Sequence, residues 1–197
     1  MLCLACPSQG AAGRRLCRSC LSSLVPGGER RLASGVLVRS AYVHCGAARV
    51  LVHRLKYAAL AASALELASA IAALVPPGTT ALVPVPRARL RRWRYGVDPA
   101  LELARAVGRS LALPVVRSLA PGWWHRRRAG PAGARRGRPQ FRLRVPVPAA
   151  AVLVDDVLTT GATLQAAAVA LGRPCVAVTA TAAPSLGSPC RPGRAGV

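Results

Sequence analysis

One stretch constrains this chain more than any other: Ala151-Val152-Leu153-Val154-Asp155-Asp156-Val157-Leu158-Thr159-Thr160-Gly161-Ala162-Thr163-Leu164. Its first part is an unbroken apolar, β-branched run, the pattern of a strand buried on both faces of a parallel sheet. Two adjacent carboxylates follow, then a Thr- and Gly-rich turn, then an Ala-rich helical segment. Only six acidic residues occur in the 197-residue chain, and two of them stand together at the end of its most hydrophobic strand. Solvation alone does not explain that placement. Successive strand residues face opposite ways, so Asp155 and Asp156 need different partners wherever the strand continues through them.

The turn has chemistry of its own. Thr159, Thr160 and Thr163 offer hydroxyls, and Gly161 allows a close backbone approach or a positive φ. The N-terminus of the following helix supplies free N–H groups, which completes an anion cradle suited to a phosphate. The two carboxylates would repel that phosphate, but they can accept hydrogen bonds from sugar hydroxyls or hold a hard cation such as Mg²⁺. Phosphate and diol on one strand–turn–helix describe a ribose 5-phosphate. The competing reading is an Asp cap and a Thr-rich first turn, but capping asks for one such residue rather than this series.

A length of 197 residues suits one domain plus a small appendage. The net charge of +22 comes almost wholly from arginine, since Lys56 is the only lysine. A strongly basic protein attracts nucleic acid and polyphosphates non-specifically. Enrichment in Ala, Arg, Gly, Pro and Val equally fits GC-biased coding, so charge by itself does not make this a DNA-binding protein. Cys and polar residues interrupt the N-terminus, and no charged segment precedes an apolar run, so no secretory signal is expected. Residues 58–75 come nearest to a membrane span, but they are mostly Ala with Glu66 near the middle, which disfavours insertion. The expectation is a cytoplasmic protein without a membrane span.

Near the N-terminus stand Cys3-Leu-Ala-Cys6 and Cys17-Arg-Ser-Cys20. Two such knuckles make a closed tetrahedral Zn²⁺ site, a fold staple or docking module over residues 1–24. Disulfides are the competing reading, without any sign of secretion to favour them. Cys45, Cys175 and Cys190 show no such pairing. Residues 35–57 alternate and end in Leu51-Val-His-Arg-Leu-Lys-Tyr57. There Lys56 stands out as a compact ammonium among guanidinium groups, or is simply a solvated helix-face lysine. His44 and His53 lack a carboxylate or Cys neighbour at ligand spacing and read as structural or solvent-facing.

Further along, a helix over 58–74 stops at Pro76-Pro77-Gly78, and residues 81–86 form a short strand breaking at proline. Arg87, Arg89, Arg91, Arg92 and Arg94 follow, a cluster able to cradle a pyrophosphate or to remain a solvated basic loop. A helix over 99–111, a strand over 115–119 and a Gly-, Pro- and Arg-rich loop over 120–144 come next. Such a loop is a lid or is disordered, and its Arg and Trp residues can stack on bases. A helix over 162–171, a strand over 175–181 and a frayed tail over 184–197 complete the chain. Strands alternating with helices indicate an α/β domain over 35–183, with a central parallel sheet flanked by helices and ligands at the strands' carboxyl ends.

The segment Val152 to Thr163 resembles the phosphoribosyl pyrophosphate loop of the type I phosphoribosyltransferases. The resemblance implies that Asp155 and Asp156 contact the ribose 2′- and 3′-hydroxyls. It places Leu158, Thr159, Thr160, Gly161, Ala162 and Thr163 around the 5-phosphate. The order of features through about Ala183 is similar to the ComF-like branch of that family: a four-Cys module, a Lys-Tyr element, a Val-Pro-x-Pro strand with an Arg/Gly turn, an Arg-rich loop, and Asp-Asp-x-x-Thr-Thr-Gly. By that likeness residues 84–94 are the pyrophosphate loop, with Arg87 and Arg94 as ligands, and 126–138 the flexible loop. The chain departs from the branch at Arg94-Tyr95-Gly96-Val97-Asp98-Pro99, where Arg-Gly-aromatic-Asn/Asp-Gln is usual. It departs again at Gly130-Pro131-Ala132-Gly133-Ala134, and it contains no Asn at all. The implied activity is phosphoribosyl transfer from phosphoribosyl pyrophosphate with Mg²⁺, releasing pyrophosphate, with no acceptor named. The alternative is a non-catalytic competence accessory protein in DNA uptake, contacting single-stranded DNA or competence-machinery proteins.

Overall fold

The expected apolar strand is β6 (Ala151–Leu158), in which Val152, Leu153 and Val154 are fully buried. The computed structural model describes residues 2–11, 15–58, 61–86, 97–122, 140–173, 175–185 and 190. Four more strands join β6 in one sheet: β1 (Glu29–Arg31), β2 (Leu37–Val43), β3 (Ala81–Pro84) and β7 (Val176–Ala182), in the order β1-β2-β7-β6-β3. The pairs β2–β7, β7–β6 and β6–β3 are parallel, and only the edge strand β1 runs antiparallel. Burial on both faces is what lets a parallel strand read as a continuous hydrophobic run.

Helices cover both faces. On one side α2 (Gly46–Tyr57), α3 (Ala61–Ala72) and α4 (Pro99–Leu111) bury Leu51, Leu55, Leu67, Ile71, Leu103 and Val107 with Val152, Val154 and Val178. On the other, α5 (Ala162–Leu171) buries Leu164, Ala167 and Ala168 against Leu153, Ala177, Val38 and Val83. The N-terminal segment carries the short helix α1 (Arg18–Ser22) and belongs to the first of these cores, since Cys3 and Leu16 are buried in it. It also caps a helix: Ser23 Oγ accepts from the Ala47 N–H at 3.1 Å, satisfying an orphan donor in the first turn of α2.

The helices expected over 99–111 and 162–171 have those bounds, and α3 lies inside the stretch expected from 58 to 74. Elsewhere the structure corrects the reading. Residues 35–57 are not one alternating stretch but β2 followed by α2, whose buried Ala47, Ala48, Leu51, Val52 and Leu55 follow the helical period. The strand expected over 115–119 is reduced to a bridge between Val115 and Leu82. Pairing resumes at β4 (Leu119–Pro121), antiparallel to β5 (Phe141–Leu143), so both ends of the expected loop are strand. Residues 123–139, with the expected flexible loop, lie outside the described residues. Cys45 and Cys190, which belong to neither Cys-x-x-Cys knuckle, form a disulfide with Cα atoms 6.1 Å apart. Among the described residues no helix is long and apolar enough to cross a membrane.

Leu103 is fully buried between the helices and the sheet. Leu103→Ala is expected to lower unfolding free energy by about 2–5 kcal/mol in urea titration, through lost burial and a residual cavity.

Candidate functional site

The anion turn is built from its first residue upward. At the end of β6 the Leu158 side chain is buried and its carbonyl accepts from the Ala183 N–H at 2.7 Å. Leu158 therefore anchors the turn from within the core. Thr159 and Thr160 are exposed. Gly161 is the N-cap of α5 at φ 83°, and a Cβ there would meet Leu32 Cδ2 at 2.7 Å. Left-handed backbone and close approach both require glycine. The Ala162 N–H reaches Thr160 Oγ1 at 3.4 Å, and the Gln165 N–H donates to the Gly161 carbonyl at 2.9 Å to start the helical ladder. The first-turn N–H groups of a helix have no partners within it, and Thr163 sits half-buried among them, a setting that favours an anion. From β1 across the sheet, an Arg30 Nη donates to the Thr159 carbonyl at 2.7 Å.

Strand alternation sends the two carboxylates to different partners. Asp156 Oδ2 lies 3.0 Å from Lys56 Nζ on α2, and the two side chains are only 16% and 22% exposed. The single lysine of the chain therefore neutralises one acid of the pair. Asp155 is buried, and its Oδ1 accepts from the Asp156 N–H at 2.8 Å. Burial pushes the Asp155 carboxyl well above the ordinary range. The charge of Asp156 pushes it the same way and Asp98 adds to the rise, while the Asp156 N–H and Lys56 oppose it. Asp98 is itself buried, at the N-cap of α4.

Polar residues of β2 and β7 complete the rim. Thr179 stands opposite Asp155 in register and shares a 2.8 Å hydrogen bond with Ser40. Thr181 Oγ1 lies 2.8 Å from His44 Nδ1 and 3.4 Å from the Asp156 carbonyl. His44 fits its structural reading, but that reading missed its place beside the Lys56–Asp156 pair. Burial and then the cations Lys56 and Arg49 hold its pKa below the usual value, against the pull of Asp156. His53 packs on Tyr57, ring centroids 4.6 Å apart. The visible signal for the rim was Thr179 and Thr181 interrupting the small apolar residues of β7.

Carboxylates and threonine hydroxyls are hard oxygen donors, and Asp156 is the more accessible of the two acids. Such donors are of the kind a hard cation takes, from one or two carboxylates together with ligand oxygens and water. Arg87, Arg94 and the remainder of 87–96 lie outside the described residues.

A second centre is formed by sulfur. The ligand atoms of Cys3, Cys6, Cys17 and Cys20 all lie within 4.8 Å of one another, and Cys6 Sγ is 3.7 Å from Cys17 Sγ. A tetrahedron with Zn–S bonds of about 2.3 Å has S···S edges of about 3.8 Å, so the arrangement fits zinc. The N–H groups of Ala5 and Cys17 point at Cys3 Sγ at 3.4 and 3.3 Å, and that of Cys20 at Cys17 Sγ at 3.5 Å, as outer-shell donors to thiolate ligands do. Ser8, through its side chain and backbone, brings the Cys6 thiol down to about 6, whereas burial and Cys17 push Cys20 up.

Purified protein is expected to hold about one zinc ion per chain by atomic absorption, with most of it lost in Cys6→Ser. A raised folded-state pKa at Asp155 favours folding at low pH, and that contribution disappears as pH climbs from the unfolded pKa through the folded one. Asp155→Asn, whose amide oxygen can still accept from the Asp156 N–H, is therefore expected to raise stability at neutral pH. The advantage should vanish below about pH 4 in urea titrations across pH.

No protein-family model matches the chain, and no curated protein is a significant match to it. What the site does has to be read from its own residues.

Proposed function

We propose that the chain is a phosphoribosyltransferase-like protein that binds phosphoribosyl pyrophosphate, or a related ribose 5-phosphate ligand, with Mg²⁺. The observation that carries this reading is the direct succession of paired carboxylates, a left-handed glycine turn and a helix N-terminus at the carboxyl edge of a parallel sheet. Ligands of open α/β sheets bind at that edge. In this reading Asp155 and Asp156 accept hydrogen bonds from the ribose hydroxyls. Thr159, Thr160, Thr163 and the first-turn N–H groups of α5 take the 5-phosphate. Lys56 orients Asp156 through their 3.0 Å ion pair. A nucleophile attacks the anomeric carbon as its bond to the pyrophosphate oxygen breaks, and the electron pair leaves with pyrophosphate. Asp156 would hold Mg²⁺ jointly with the ligand, and the ion supplies charge neutralisation for the leaving group. Arg87 and Arg94 would add to it by the ComF-like resemblance.

A second reading, a competence accessory protein that contacts single-stranded DNA, draws support from the net charge of +22. It predicts DNA affinity that falls steeply and log-linearly with salt, since each neutralised phosphate releases counterions.

Calorimetric titration of phosphoribosyl pyrophosphate with Mg²⁺ tests the first reading. Saturable binding by the wild type and its loss in a folded Asp155→Asn/Asp156→Asn variant is the expected result. Pyrophosphate release on adding candidate bases would then establish transfer. A folded wild type that binds nothing removes the transferase reading.

A further inference from the structure

The first strand of the β1–β2 hairpin lies before the domain expected from residue 35, and nothing in the ribose-phosphate reading uses it. Its strands pair antiparallel, Glu29 with Arg39 through Arg31 with Leu37, and Leu32 and Val36 close it with a 2.9 Å hydrogen bond. Two contacts join this arm to the anion turn, 129 residues away in sequence for Arg30 and Thr159. Leu32 fills the space beside Gly161 that a side chain would otherwise occupy. Arg30 donates to the Thr159 carbonyl at 2.7 Å while remaining exposed.

We propose that Arg30 is a positioning residue for the anion turn, setting the direction of the peptide N–H that meets the phosphate. This rests on the ribose 5-phosphate reading of the turn. Across a planar trans peptide the C=O and the following N–H point in opposite directions. Anchoring the Thr159 carbonyl on Arg30 therefore aims the Thr160 N–H to the far side of the turn. A cation on the carbonyl also polarises the peptide and strengthens that N–H as a donor. Arg30 reaches the turn from a hydrogen-bonded hairpin, so the Thr159 carbonyl is already anchored before ligand arrives. The geometry thus extends the site to a strand that the ribose-phosphate motif does not include.

Calorimetric titration of ribose 5-phosphate into the wild type, Arg30→Met, Arg30→Lys and Arg31→Ala tests this. Arg31 is the neighbouring exposed arginine on β1, and alternation points it to the opposite face of the strand. Arg30→Met should weaken binding about three- to tenfold, the range of a charge-assisted hydrogen bond discounted for exposure. Arg30→Lys, which keeps a charged donor, should recover much of the loss. Arg31→Ala should bind as the wild type does, and melting without ligand should be unchanged in all three. Binding by Arg30→Met equal to wild type overturns the proposal. So does an equal loss in Arg31→Ala, which would mean diffuse charge, or a loss that Arg30→Lys fails to recover. If the wild type itself does not bind, the ribose-phosphate reading falls and this inference with it.

Discussion

Two carboxylates on successive residues of a buried strand are electrostatically untenable unless each is compensated, and much of the site follows from how that is done. Asp156 is compensated by the single lysine of the chain, brought in on α2. Asp155 has one backbone N–H at 2.8 Å and sits near Asp98, so its compensation is partial and its proton is held tightly. Placing Lys56 there requires α2 to bring its last turn up to Asp156 of β6. The buried face of that helix, Leu51, Val52 and Leu55, holds it in place. In the proposed reading, a ribose diol donating to both acids would complete the compensation at Asp155. The same property that makes Asp155 costly to the unliganded fold suits it to a donor-rich ligand.

Much of this was legible in the sequence because the apolar run and the turn chemistry are local. Val152 to Val154 announce a doubly buried strand, and Gly161 is needed where the backbone is left-handed. The bounds of α4 and α5 could be read because proline starts one and glycines flank the other. What escaped depends on contacts distant in sequence. His44 and Thr181 meet across 137 residues, and Arg30 and Thr159 across 129, so no spacing rule finds them. The helix α2 escaped for a different reason: Val50, Leu51 and Val52 are adjacent, which gives the stretch a strand-like composition while its buried positions keep helical spacing. The antiparallel edge strand β1, with three exposed charged residues, has no apolar pattern to read.

The sulfur cluster was equally legible from its two knuckles, but its relation to the rest was not. Cys3 and Leu16 share a core with α2, α3 and α4, and Ser23 caps α2. A segment that supplies both core packing and a helix cap is part of the domain's stability rather than a detachable appendage. Metal bound there would contribute to folding of the α layer as well as of its own knuckles.

The edge strand β1 has a consequence for the behaviour of many copies together. An open sheet ends in a row of unpaired N–H and C=O groups, a template on which another chain can add a strand. Here that edge is three residues long and carries Glu29, Arg30 and Arg31, all exposed. The opposite edge, β3, is buried along its whole length. Both ends of a hydrophobic parallel sheet are thus poor templates for strand addition, one blunted by charge and brevity, the other by cover. In a chain that is 52% hydrophobic, this arrangement disfavours sheet-to-sheet growth at high concentration.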